Sequence, residues 1–290
     1  MKTTKIVMAI SAAAVMALSA TGCKQAGTSL GNDFLSYNSK GDSAIGAEAT
    51  ATINFTNENA DEYARGMKLF DNKKKGITAM MTMDLSEDTN PGAMSIVFDL
   101  EKKDGKYNFC LAGFKNNSGK LNYYIAYYNG VAEADFDKYN FGVLEGSRTD
   151  IANFTELGTI TPSNGKLSCV MEIEAVKADG EGNEDDAAYN VYIYAPEATE
   201  AATMTKFKGI SNKTGEELKT IHNTAKKTVV INRKQVQSSS TKVIENKMGF
   251  YANVYGGKTL NGTWLVADMK HEANVAKTVS DDDSFIKLNF

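Results

Sequence analysis

The stretch from Ile77 to Tyr128, ITAMMTMDLSEDTNPGAMSIVFDLEKKDGKYNFCLAGFKNNSGKLNYYIAYY, decides the fold class of this 290-residue chain. Ile77, Ala79, Met81, Met83 and Leu85 alternate with polar residues up to the turn Glu87-Asp88-Thr89-Asn90-Pro91-Gly92. Met94, Ile96, Phe98 and Leu100 carry a second run to Lys102-Lys103-Asp104-Gly105. Tyr107 to Leu111 leads to Asn116-Asn117-Ser118-Gly119, and Leu121 to Tyr128 leads to Asn129-Gly130. A period of two puts alternate side chains on opposite faces of a strand. Asp-Gly and Asn-Gly tolerate positive φ and so favour hairpins between such runs. No helix-length segment separates these strands, which excludes a doubly wound parallel sheet, where each crossover needs one.

The same period extends outward. Ala49, Ala51, Ile53 and Phe55 alternate with Thr50, Thr52, Asn54 and Thr56 and predict a strand. Asn59 to Phe70 predicts a first helix with Tyr63, Met67 and Phe70 on one side. Gly66 weakens that helix by about 1 kcal/mol. Downstream, Leu167 to Val176 and Tyr189 to Tyr194 predict strands on either side of an acidic segment. Between Thr199 and Lys226 the pattern is less regular, and Thr214-Gly215-Glu216-Glu217 has capping-box spacing for a short helix. Val229 to Ile231, Lys242 to Glu245, Gly249 to Tyr255, Trp264 to Met269 and Phe285 to Phe290 complete the set. About twelve strands without a repeat period favour a sandwich over a propeller or solenoid. The expected fold is all-β: an antiparallel β-sandwich over residues 47–290, with one or two short helices.

The first residues carry an address. Lys2 and Lys5 precede an apolar run from Ile6 to Ala20. That run is shorter than the roughly 20 residues a spanning helix needs and has the make-up of a signal peptide. Leu18-Ser19-Ala20-Thr21-Gly22-Cys23 resembles a bacterial lipobox. Ala20, where leucine is commonest, resembles the relaxed lipoboxes of spirochaetes. The resemblance implies a signal peptide over residues 1–22, acylation of Cys23, and a partner in the lipid bilayer. It places the protein in the bacterial cell envelope, with the outer membrane or cell surface favoured. Two or more acyl chains anchor stably where one does not. The Gly/Ser/Asn-rich residues 23–46 then predict a lipidated N-terminus and tether.

Composition narrows the partners. The net charge of −4 becomes more acidic once Lys2 and Lys5 leave, so no basic stripe points to nucleic acid. A 42% hydrophobic content supplies a core and argues against disorder. Beyond Cys23 only Cys110 and Cys169 remain, as one disulfide or two buried thiols.

Met248 to Tyr255, followed by Gly256-Gly257-Lys258-Thr259-Leu260-Asn261-Gly262-Thr263-Trp264, resembles the late strands of concanavalin-like lectin and glucanase sandwiches. That resemblance implies a jelly-roll and a sheet face that binds glycan. Tyr127, Tyr251, Asn253 and Trp264 are the candidate ligand-binding residues: flat apolar rings beside an amide suit a sugar. The rings serve equally well as sandwich core.

Catalytic chemistry finds little material. The glucanase branch uses a Glu-x-Asp-x-(x)-Glu strand, and Glu172-Ile173-Glu174 lacks both the Asp and the third carboxylate. Two glutamates two apart on a strand are expected on a solvated face. His271-Glu272 begins a zincin motif, but Val275 stands where its second histidine belongs. With only His222 and His271 in the chain, histidine-based metal or triad chemistry lacks residues. The acidic loops Asp179 to Asp186 and Asp281 to Asp283 are expected to be solvated rather than calcium-binding. Calcium needs about six to eight placed oxygens, and Glu184 occupies the EF-hand glycine position. The expectation is a lipid-anchored, non-catalytic binding module for carbohydrate, with no cofactor and no metal. A surface protein that binds other proteins is the alternative, and a divergent glycoside hydrolase is third.

Overall fold

The computed structural model describes residues 28–29, 36–38, 50–61, 63–71, 76–117, 120–133, 148–156, 160–161, 165–177, 187–232, 243–244, 247–268 and 286–287. Cys23, both acidic loops and His271 lie outside the described residues. In chain order the long strands are β1 (Thr50–Thr56), β2 (Ala64–Asp71), β3 (Ile77–Asp84), β4 (Gly92–Lys103), β5 (Lys106–Asn117) and β6 (Lys120–Ala132). They continue with β7 (Arg148–Glu156), β8 (Lys166–Lys177), β9 (Ala187–Tyr194), β10 (Lys227–Asn232), β11 (Lys247–Val254) and β12 (Thr259–Asp268). One sheet has the order β2-β11-β4-β5-β6-β7, and the second has β10-β9-β8-β3-β12-β1. Every pairing between long strands is antiparallel. The fold is the all-β antiparallel sandwich that the period of two predicts.

The inner faces carry the alternating residues. Met94, Ile96, Phe98, Cys110, Ala112, Phe114, Tyr123, Ile125 and Phe250 of the first sheet meet Ala79, Met81, Met83, Leu167, Cys169, Met171, Ile173 and Trp264 of the second. Trp264 is fully buried, and its Nε1–H donates to the Ser95 carbonyl of the opposite sheet at 3.2 Å. Cys110 and Cys169 are both free and buried in this core. Burial pushes the Cys169 thiol up, so it packs as a small apolar group rather than reacting as a thiolate. Leu100 departs from the face expected for it. A bulge between Phe98 and Glu101, with Asp99 at φ 52°, turns Leu100 onto the outer face. Asp99 there accepts from the Tyr189 hydroxyl of the second sheet at 3.1 Å.

Three segments differ from the sequence expectation. Residues from Ala64 form β2 rather than a helix, because the segment pairs with β11 over its whole length. Tertiary pairing outweighs the weak helical pattern around Gly66. Arg148–Glu156, given no element by periodicity, is β7. The residues expected as a tether contribute two short strands: Thr28–Ser29 beside Ala64 and Arg65, and Ser36–Asn38 beside β1. Helices α1 (Glu200–Phe207) and α2 (Gly215–His222) occupy the irregular region. Thr199 caps α1 by accepting from the Ala202 amide at 3.1 Å. Thr214 makes no side-chain cap bond at α2, and Glu217 pairs with Lys213 instead of closing a capping box. Among the described residues no helix is long and apolar enough to cross a membrane.

Replacing Trp264 with alanine removes the largest core side chain and its inter-sheet bond, and is expected to cost about 3–5 kcal/mol. Urea unfolding measures this; a loss below about 1 kcal/mol would remove Trp264 from the centre of the core.

Candidate functional site

Both sheets also bury their outer faces, and the two faces treat polar groups in opposite ways. On the second sheet, α1 and α2 pack Phe207 and Ile221 against Met80, Val170, Tyr192 and Tyr194. Glu172 and Glu174 lie beneath them at 0% and 1% exposure, which overturns the expected solvated face. Glu172 accepts from the Tyr194 hydroxyl and meets His222 Nε2 at 2.9 Å. Glu174 accepts from Asn190 at 3.0 Å and from the Tyr192 hydroxyl at 3.2 Å. The His222 ring stacks on Tyr192 at 4.0 Å. Each carboxylate is held by named donors, so burial is compensated. Glu172, through His222 of α2, fastens the helical layer to the sheet, while Glu174 ties β8 to β9.

On the first sheet the outer face holds Arg65 and Met67 of β2, Tyr251 and Asn253 of β11, Ser95 of β4, Gly113 of β5, Tyr124 and Tyr128 of β6, and Arg148 of β7. Gly113 sits between Ser95 and Tyr124 in the cross-strand row. A Cβ there would stand 2.2 Å from Ser95 Oγ and 2.3 Å from the Met94 carbonyl, so glycine leaves room for Tyr124 to bond Ser95. The Arg148 guanidinium lies 5.4 Å from the Tyr124 ring centre and pairs with Asp150 at 2.7 Å. Burial opposes the Arg148 charge, but the Tyr128 phenol and Asp150 outweigh it and raise its pKa. Burial pushes the Tyr124, Tyr128 and Tyr251 phenols up. Arg148 pulls all three back, and Arg65 pulls back Tyr128 and Tyr251, so both arginine fields fall on the same rings.

One end of this face is built where three crossings between the sheets meet. Residues 57–63, 85–91 and 255–258 join β1 to β2, β3 to β4 and β11 to β12. The Asn57 amide donates to Lys258 O at 2.8 Å, and the Tyr255 amide donates to Pro91 O at 2.9 Å. A Cβ at Gly256 would stand 2.2 Å from the Ala60 carbonyl, so only glycine lets the first and third crossings touch. The Tyr63 and Tyr255 rings then meet edge to face at 5.3 Å. Tyr63 is 40% exposed and is the exposed large apolar side chain among the described residues. The Arg65 guanidinium lies 5.1 Å from its ring centre.

Arg65 itself is 4% exposed, and its Nε and Nη1 are buried without a hydrogen-bond partner. Its cross-strand partner Asn253 carries a buried Oδ1 that accepts nothing. Donors and an acceptor therefore stand unpaired on neighbouring strands. The structure brings two of the four sequence candidates, Tyr251 and Asn253, onto this face. Tyr127 and Trp264 point between the sheets and are core. Sequence reasoning missed Tyr63, Arg65 and Arg148. Among the described residues no group of three His, Cys, Asp or Glu side chains is arranged to hold a metal.

No family model matches the chain, and no curated protein matches it. Among solved structures it is similar to a functionally unknown protein from Saccharomyces cerevisiae. Identity is 8%, 81% of this chain and 95% of that chain are covered, and the TM-score is 0.34, a likeness that carries no argument.

Two outcomes follow from these environments. Glu172→Ala strands the Tyr194 hydroxyl and His222, and is expected to cost about 3 kcal/mol. Glu216→Ala on the exposed face of α2 is expected to cost under about 0.5 kcal/mol in the same urea titration. Tyr124, Tyr128, Tyr192, Tyr194 and Tyr251 all have raised pKa values, chiefly through burial. The unfolded chain loses these protons above about pH 10 while the folded chain keeps them. Stability is therefore unaffected below pH 10 and falls by about 1.4 kcal/mol per pH unit for each tyrosine above it. A part of the tyrosinate absorbance equivalent to about five rings should appear cooperatively with alkaline unfolding; gradual ionisation of all thirteen tyrosines in the folded protein near pH 10 would contradict it.

Proposed function

We propose that this protein is a lipid-anchored module of the bacterial cell envelope that binds carbohydrate without turning it over, through the outer face of its first sheet. Acylated Cys23 holds it to the bilayer, and the sandwich presents the Tyr63–Tyr255 end to ligand. The observation that carries the reading is the ring pair of exposed Tyr63 and half-buried Tyr255, beside the polar groups of Arg65 and Asn253. Sugar rings present flat apolar faces edged with hydroxyls, which suits an aromatic edge beside hydrogen-bonding groups. The aromatic crossing from Tyr251 to Trp264 that resembles the concanavalin-like sandwiches supports the same reading. A glycoside hydrolase reading has less support, since Glu172 and Glu174 are buried and already bonded to Tyr194, His222, Asn190 and Tyr192.

A glycan array with the full-length protein in detergent tests the reading. Binding is expected, and Tyr63→Ala should weaken it by about tenfold, the equivalent of one aromatic contact of about 1.4 kcal/mol. Circular dichroism should show an unchanged fold. A blank array from folded protein would overturn the proposal in favour of a protein-binding surface.

A further inference from the structure

We infer that the Arg65–Asn253 pair is an anion subsite, and that the glycan it selects carries an acidic group beside a hydroxyl, as a uronic acid does. This rests on the carbohydrate reading and names its substrate class. A buried guanidinium without a counter-ion is strongly unfavourable, and buried polar atoms in folded proteins are ordinarily paired. Neither Nε nor Nη1 of Arg65 donates a hydrogen bond, and Arg65 is in none of the ion pairs among the described residues. By contrast, Glu172 and Glu174 on the opposite outer face have donors to their oxygens. The fold therefore engages at least one oxygen of each of these carboxylates, and of buried Glu101 through Asn108, while Nε and Nη1 of Arg65 stay open.

The unpaired groups define what fits. Arg65 offers only donors, in a planar fork suited to a carboxylate. Asn253 Oδ1 offers only an acceptor, which repels an anion and accepts a hydrogen bond from a hydroxyl. The two residues are cross-strand partners, so acid and hydroxyl must be neighbours in the ligand. At the non-reducing end of a uronic acid chain the carboxylate-bearing carbon adjoins a carbon with a free hydroxyl. Arg148 does not compete for the anion, because Asp150 already engages it. Glu58 and Asp61 in the nearby crossing are exposed, where solvent and salt screen their repulsion. Tyr63, whose ring lies over the guanidinium, stands in the non-strand segment before β2. It can yield to a ligand without breaking a ladder bond.

Calorimetric titration of the full-length protein with oligogalacturonate, neutral oligogalactan and a sulfated galactan tests the inference. The oligogalacturonate should bind at least about tenfold more tightly than the neutral oligomer, and the advantage should shrink as salt rises. Arg65→Gln should abolish that advantage. Arg65→Lys, which keeps the charge and loses the fork, should retain part of it. Arg65→Gln should also melt no lower than the wild type, because it removes an uncompensated buried charge. A lower melting temperature would show that Arg65 has a structural partner and would overturn the subsite. Equal binding of acidic and neutral oligomers would overturn the subsite while leaving the carbohydrate reading intact. Preference for the sulfated polymer would overturn the uronic acid assignment. Binding of free galacturonate, lost in Arg65→Gln, with no polymer bound, would uphold the anion site and overturn the glycan module.

Discussion

The insertion of the last two long strands into the middle of both sheets is the constraint on which the rest of this molecule depends. β11 lies between β2 and β4, and β12 lies between β3 and β1. Neither sheet is continuous until residues 247–268 are in place, so early strands are held by late ones. Such pairing has large sequence separation and must overcome loop-closure entropy before contacts form. The link between the sheets is made at the same place, where Trp264 of β12 donates to Ser95 of β4 and packs 5.4 Å from Phe250 of β11. Ser95 in turn bonds Tyr124 on the far side of its sheet. Core and outer face are thereby joined through one residue.

The insertion also makes the candidate site. β11 brings Tyr251 and Asn253 beside Arg65, and the crossing that follows brings Tyr255 against Tyr63. Residues nearly 200 positions apart form a single patch only because the two strands enter where they do. The opposite outer face shows that this chain can satisfy buried charge: two carboxylates there receive tyrosine, asparagine and histidine partners. Other buried atoms also lack a hydrogen-bond partner, Thr78 Oγ1, Glu101 Oε1 and Asn261 Oδ1 among them, but among the described residues only the Arg65 nitrogens belong to a cation.

Much of the sandwich was legible in residues. The alternation from Ile77 to Tyr128 set four strands and most of their facing, and free thiols at Cys110 and Cys169 were one of two open readings. Leu100 was misplaced because a bulge at Asp99 shifts the period by one, and no residue type announces a bulge there. β7 was missed for a related reason. The register slips between Ile125 and Ala126, leaving Ile151 opposite no partner and breaking the alternation of Ile151, Ala152 and Phe154. β2 was taken for a helix because its fate is decided by β11, far away in sequence. The two arginines of the outer face, Arg65 and Arg148, lie on these two strands, so the site escaped along with them. Glu172 and Glu174 were placed in solvent because a local pattern does not reveal that helices from residues 200–222 will cover them.

The central claim is that ligand enters where Arg65 and Asn253 stand unpaired. The most direct measurement is the arginine side-chain ¹⁵N–¹H spectrum of the full-length protein, recorded during titration with an oligogalacturonide. With few arginines in the chain, the Arg65 Nε–H signal can be assigned through Arg65→Lys. The account predicts that this signal moves saturably, and further than that of Arg148, which Asp150 already engages. An Arg65 signal that stays fixed while ligand binds would place the site elsewhere and contradict the account.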